Sequence, residues 1–206
     1  KPSLKNALVP VLALAAALFS AMPSAAQSAA PRNIRIAVNT AVDHPLTAGA
    51  QKFADLVNEK SAGKLRAKVY AGGMLGTDVQ VIGSLQGGVV DASVPTVGLL
   101  TSLAKEYNLF LLPGIFRDVR EADAMLDGPY AQKVRDSLLQ HKLVVLAHLE
   151  HGFKHVTNNK RPIHKWEDLD GLKVRVAQSP VLLETFKTLR ANPIPMAFTE
   201  VYTAAE

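Results

Sequence analysis

Ile34, Ile36 and Val38 alternate with Arg35 and Ala37, a pattern that predicts a strand. Asp43-His44-Pro45 follows as a helix start, with proline in the first turn. Leu46, Ala50, Phe53, Leu56 and Val57 then recur at helical spacing as far as Gly63, which stands where a left-handed C-cap belongs. Leu65, Ala67 and Val69 alternate as a second strand. Asp78 is placed to cap a short helix over Val79 to Leu85, stopped by Gly87-Gly88, and Val90, Ala92 and Val94 form a third strand before Pro95. Strand and helix in regular alternation predict an α/β fold with a largely parallel sheet.

The apolar stretch from Leu99 to Phe116, broken by Pro113-Gly114, has no clear period. Val119 to Gln140 reads as helical with a break at Gly128-Pro129, and Leu143 to Ala147 reads as a buried strand. A polar loop from Thr157 to Gly171 precedes a strand over Leu172 to Val176. Ser179-Pro180 then opens an amphipathic helix carrying Val181, Leu182, Thr185, Phe186 and Leu189. The loop-rich stretch beginning near residue 152 divides a first α/β domain (31–152) from a second (153–206). The second is expected to be partial, because Thr203 to Glu206 lie inside a helix start, and the chain opens on Lys1 and not Met.

The N-terminus departs from this alternation. Lys1 and Lys5 precede thirteen uncharged apolar residues, Ala7 to Phe19, and then a run of small residues from Ser20 to Ala30. That is the plan of a secretory signal peptide. Its apolar run is too short for a bilayer of roughly 30 Å, which needs about 20 residues. Ser24-Ala25-Ala26 places small residues for cleavage after Ala26, so 1–26 is expected to be removed on export to the periplasm. The mature protein would not span the membrane. A buried Ala-rich helix is the alternative, and the absence of any acid before Asp43 speaks against it.

Removing Lys1 and Lys5 leaves 21 basic residues against 18 acidic ones, a net charge of +3. These charges are dispersed, without basic blocks or aromatic interleaving, so no nucleic acid partner is implied. With no cysteine in the chain, thiolate metal sites, cysteine nucleophiles and disulfides are excluded, and a packed core must hold the fold.

Three constellations carry candidate chemistry. Ala71-Gly72-Gly73-Met74-Leu75-Gly76 nearly matches a dinucleotide fingerprint, but its first position is Ala. Asp78 would also repel a pyrophosphate from the following helix, which leaves a tight glycine turn as the plainer reading. His148, His151 and His155, beside Glu150, could suggest a metal-dependent hydrolase. On an extended segment, however, His148 points away from the other two, and the His-Glu-x-x-His spacing is absent. Nothing else asks for catalysis or a cofactor, and the chain is not expected to be an enzyme. In Leu172 to Val176, Lys173 and Arg175 share the polar face. Alternation alone leaves Arg175 open between a solvated face and a rigid fork for a carboxylate.

Three ordered segments close the question of kinship. Thr157 to Ile163 (TNNKRPI), Asp168 to Val176 (DLDGLKVRV) and Asn192 to Tyr202 (NPIPMAFTEVY) closely resemble the solute-binding proteins of TRAP transporters, the tripartite ATP-independent periplasmic transporters, in their DctP-like branch. Asp43-His44-Pro45, Ser61 to Leu65 and Leu75 to Asp78 agree in the same order, so the likeness runs from about Asn33 to Glu206. It implies a periplasmic binding protein-like two-domain clamp with mostly parallel sheets, its second domain incomplete. Such a clamp closes on a carboxylate-bearing solute and hands it to membrane permease subunits. It further implies that Arg175 forks the carboxylate, Phe198 lines the pocket and Asn39 contacts the solute from the other domain. Asp78 and Thr96 fall on positions that vary with the substrate. Lys154 stands where a second arginine contact is common, and keeps the charge without the fork. Arg190 stands where glycine is usual. A ligand-sensing clamp on the same fold is the remaining alternative.

Overall fold

The computed structural model describes residues 30–205; the leader expected over 1–26 lies outside them. β1 (Arg32–Ala37) is the centre of a three-stranded parallel sheet of order β2-β1-β3, flanked by β2 (Leu65–Tyr70) and the short β3 (Ala92–Ser93). Ile34 lies opposite Ala67 and Ile36 opposite Val69. The alternation of β1 continues past its end and assigns its two faces. Ile36 and Val38 pack with Ala50 and Ala54 of helix α1 (Pro45–Lys60), while Ala37 packs with Val81 of α2 (Asp78–Gln86). Helices on both faces are the solution for a parallel sheet, whose strands must be covered on each side.

The local signals act where the sequence puts them. The His44 ring accepts the Leu46 amide at 3.1 Å, and Pro45 occupies the first turn of α1. At α2 the capping residue is Thr77 and not Asp78: Thr77 and Gln80 form a reciprocal capping box, and Asp78 becomes the first helical residue. A second cluster gathers Leu99 and Leu100 of α3 (Val97–Leu100), Tyr107 of a 3₁₀ segment (Lys105–Leu111) and Val134 of α5 (Pro129–Ser137). The helical stretch expected over 119–140 breaks at Gly128, as read, into α4 (Val119–Leu126) and α5.

One element differs. Leu143 to Ala147 is neither buried nor a strand. Leu143 and Val145 turn inward onto the Tyr107 cluster, while Val144 and Leu146 are 70% and 73% exposed. The side chains alternate as a strand would, but among the described residues no strand pairs with this segment, and an unpaired run is not a strand.

The last third builds a separate two-stranded parallel sheet from β4 (Lys173–Val176) and β5 (Asn192–Pro195), joined by α6 (Pro180–Thr188) and followed by α7 (Val201–Ala205). Leu169, Leu172 and Ala191 form its core, with Phe186 and Leu189 of the α6 end packed against them.

Candidate ligand-binding site

The loops that leave the C-terminal ends of β1 and β2 meet the start of α2. In an open α/β sheet this is the edge where side chains and helix N-termini converge. Asn39, two residues past β1, is buried, and its amide donates to the Gly76 carbonyl at 3.3 Å. Asp78 lies at the first position of α2 behind that carbonyl. Burial raises the Asp78 pKa, and two neighbours oppose the rise: the Asn39 amide and the charge of Arg175.

Arg175 comes from the other sheet. It sits on β4 opposite Ile194 of β5, half-buried. Its Nε and Nη2 both donate to the Met196 carbonyl, at 3.2 and 2.7 Å. One carbonyl oxygen thus grips one edge of the guanidinium and fixes its plane, and the Nη1–Nη2 edge makes no hydrogen bond among the described residues and remains as a second fork. The Phe198 ring lies 5.9 Å from the guanidinium carbon, within cation–π range, and Phe198 is itself 48% exposed. Burial lowers the Arg175 pKa, and the Asp78 carboxylate works against that shift. Arg175 is therefore not a solvated-face residue. Lys173, on the same strand, is exposed.

The two groups of loops approach closely. Gly73 has φ +76°, and a Cβ placed on it would lie 2.7 Å from Cγ2 of Thr199, the residue after Phe198. A tight glycine turn is therefore the correct reading of residues 71–76, and its second function is to let the Phe198–Glu200 turn come near. Sequence reasoning missed both Thr199 and the Met196 carbonyl. The first is a long-range steric match and the second a backbone acceptor, and neither leaves a mark in residue types.

The remaining candidates are less closely joined. Thr96 precedes α3, exposed, with its carbonyl accepting from Leu99 and its hydroxyl capping nothing. Lys154 lies in an irregular segment, open to solvent, yet burial by surrounding protein lowers its ammonium pKa. The Lys154 side chain is exposed and accessible.

The histidines do not assemble. His148 faces Tyr107, with Nε2 3.4 Å from the hydroxyl, His151 stacks edge-on against His44 at 5.3 Å, and His155 is exposed. Among the described residues no three histidines, cysteines or carboxylates are placed to share a metal ion. This removes the basis of the metal-hydrolase alternative. A cavity of about 580 Å³ does lie beside His148, but its other walls include Asp123, Asp127, Asp136 and Glu150. It contains none of the Arg175 group, and its carboxylates make it a poor place for an anion. Among the described residues no helix is long and apolar enough to cross a membrane.

Comparison with known proteins identifies the family. Residues 36–206 match the family described as bacterial extracellular solute-binding protein, family 7. The 2,3-diketo-L-gulonate-binding periplasmic protein of Escherichia coli K12 is 36% identical over 190 residues, covering 92% of this chain and 56% of that protein. The galactonate complex of a sugar acid binding protein from Advenella mimigardefordensis superposes with a TM-score of 0.82 at 40% identity. It covers 85% of this chain and 57% of that one. A succinate-bound TRAP periplasmic solute-binding protein from Sulfurospirillum deleyianum gives 0.80 at 36%, covering 85% and 56%. The chain spans about half the length of the relatives it matches. It belongs to family 7 of the bacterial extracellular solute-binding proteins.

Proposed function

We propose that the chain is the solute-grasping part of a periplasmic TRAP solute-binding protein, which captures an organic acid by its carboxylate and delivers it to membrane permease subunits. The observation that carries this reading is the pre-set Arg175 guanidinium. One edge is locked on the Met196 carbonyl and the other has no hydrogen-bond partner among the described residues; the group lies beside Phe198 and within Coulombic reach of Asp78. A planar fork held before the ligand arrives loses little entropy on binding. Asp78, hydrogen-bonded by Asn39, lies within electrostatic reach of it, and Phe198 lies beside it; a solute held by both groups of residues would gain contacts from two lobes and favour a closed clamp. Thr96 and the accessible Lys154 would serve as outer contacts, and the division between lobes falls near residue 152. The relatives bind a diketo-gulonate, galactonate and succinate, all of them acids. Export by the Lys1–Ala26 leader places the protein with its permease.

A thermal-shift screen of organic acids on the protein at the length of its relatives tests this. An acid at 100 times its Kd adds about 2.7 kcal/mol of stability. Removing one member of a buried charged pair typically costs about 2–5 kcal/mol. Arg175→Ala should therefore weaken the best acid roughly 30-fold to several thousand-fold at about 1.4 kcal/mol per decade. Arg175→Lys should also fail substantially, and Lys173→Ala, on the exposed part of the same strand, should not. Wild-type affinity in Arg175→Ala, read by isothermal titration, would return Arg175 to a purely structural role.

A further inference from the structure

Basic residues that are dispersed along the sequence are gathered by the parallel pairing of β1 with β2. In that register Arg35 lies beside Lys68 and Asn33 beside Arg66, so all four project from one face of the sheet. It is the face on which Ala37 packs with Val81 of α2, but α2 covers only the Ala37 end, and Arg35, Arg66 and Lys68 are exposed. Lys64, just before β2, is exposed and follows the same alternation, so Lys64, Arg66 and Lys68 stand about 6.6 Å apart along the strand. Lys68 Nζ rests 5.1 Å from the centre of the Tyr70 ring on the same face. The counter-charge is Asp91, which accepts the Arg35 amide at 2.8 Å and pairs with Arg35 at 3.6 Å and Arg32 at 3.8 Å. Among the described residues no carboxylate pairs with Lys64, Arg66 or Lys68. The α1 carboxylates Asp55 and Glu59 belong to the helix on the opposite face.

We propose that this face of β1 and β2 is an electrostatic docking surface for a membrane that carries anionic phospholipids. Arg32, Arg35, Lys64, Arg66 and Lys68 there surround a single carboxylate. Lysines on an edge strand also guard it against pairing, which accounts for Lys68 on β2 but not for Arg35 on the central strand. A protein partner takes hold through buried aromatic or aliphatic anchors, and neither strand exposes a large hydrophobic side chain. A flat array of cations on flexible stems, without a pocket or an apolar anchor, instead suits a surface whose own charges are mobile and dense, as lipid headgroups are. The array occupies the N-terminal half of the strands, whereas Asn39 and the glycine turn follow their C-terminal ends. A docked molecule therefore keeps its ligand loops clear of the membrane contact. The proposal stands independently of the role of Arg175.

The experiment is co-sedimentation of the protein, at the length of its relatives and without Lys1–Ala26, with vesicles of phosphatidylglycerol or of phosphatidylcholine. Wild type should bind the phosphatidylglycerol vesicles at about 0.1 M salt and ignore phosphatidylcholine. About 1 M salt should release it, because the screening length falls from about 10 Å to about 3 Å. Each cation near an anionic surface strengthens binding about fivefold, so Arg66→Gln with Lys68→Gln should weaken it about 25-fold. Lys52→Gln with Lys133→Gln removes the same charge from exposed positions elsewhere and should change binding little. Acid affinity should be unchanged in the Arg66 and Lys68 double variant; a loss there would mark a disturbed fold, and the wild-type vesicle comparison then decides alone. The proposal is overturned if wild type does not distinguish the two lipids or stays bound at about 1 M salt. It is overturned equally if the Lys52 and Lys133 pair matters as much as Arg66 and Lys68. Capture by soluble polyaspartate as tight as that by the vesicles would replace the membrane with a soluble acidic partner and overturn it too.

Discussion

Arg190→Gly should make the protein more stable, and the structure allows the size of the gain to be worked out. α6 ends in a Schellman turn. The Ala191 amide donates to the Phe186 carbonyl and the Arg190 amide to the Lys187 carbonyl, each at 2.9 Å, while Ala191 and Phe186 pack in the same small core. That geometry requires a left-handed residue at position 190, and Arg190 has φ 60°. A side chain in that region costs about 1–2 kcal/mol relative to the right-handed conformation. Glycine removes most of that cost but brings back about 0.5–1 kcal/mol of backbone entropy in the unfolded chain. The Arg190–Asp170 ion pair, at 4.0 Å between groups 69% and 60% exposed, offsets at most a few tenths of a kcal/mol. The net is a gain of about 0.5–1 kcal/mol, or a Tm rise of roughly 1–4 °C for a protein of this size. Urea unfolding should show a higher midpoint at unchanged slope. Arg190→Ala keeps the Cβ and loses the ion pair, so it should be neutral or slightly worse than wild type. A glycine variant no more stable than the alanine variant would refute the strain argument.

Two further outcomes are expected. Gly73→Ala combines a φ of +76° with a Cβ 2.7 Å from Thr199 Cγ2, so it should cost about 1–2 kcal/mol and weaken acid binding; Thr199→Ser should rescue part of the binding, and an unaffected Gly73→Ala affinity would separate this turn from the site. His148 has its pKa lowered by burial and then by the Arg135 charge, so the fold favours its neutral form. Its contribution to stability is full above the ordinary value of 6.5 and is lost as pH falls through the lower folded value. Urea midpoints measured from pH 7.5 down to pH 5 should fall less steeply in His148→Gln than in wild type, and equal slopes would exclude His148 as the titrating group.

What could be read from residue order was whatever local physics decides. The change of period from Ile36 and Val38 to Ala50 and Phe53, punctuated by Pro45 and Gly63, fixes β1, α1 and β2 because each signal acts within a turn or two. Leu143 to Ala147 carries an equally good alternation. It failed as a strand because pairing is decided by another segment, and no residue within 143–147 states whether a partner exists. The site divides along the same line. Arg175 and Phe198 could be singled out only by resemblance, since the β4 alternation is equally consistent with a wet surface. The Met196 carbonyl that orients Arg175 is backbone, and any residue could supply it. Gly73 was legible as a turn and illegible as a neighbour of Thr199, which lies at the far end of the chain. Arg190 shows how the two kinds of information combine. Its departure from glycine was visible in the sequence, but φ alone turns that departure into a strain with a sign and a size. Asp78 is the sharper case. A carboxylate after Thr77 reads as a helix-start residue and is one, yet the same placement puts it before Arg175. What that charge acts on is an arginine carried by a different sheet, so one residue answers to two neighbourhoods, of which the sequence displays only the nearer.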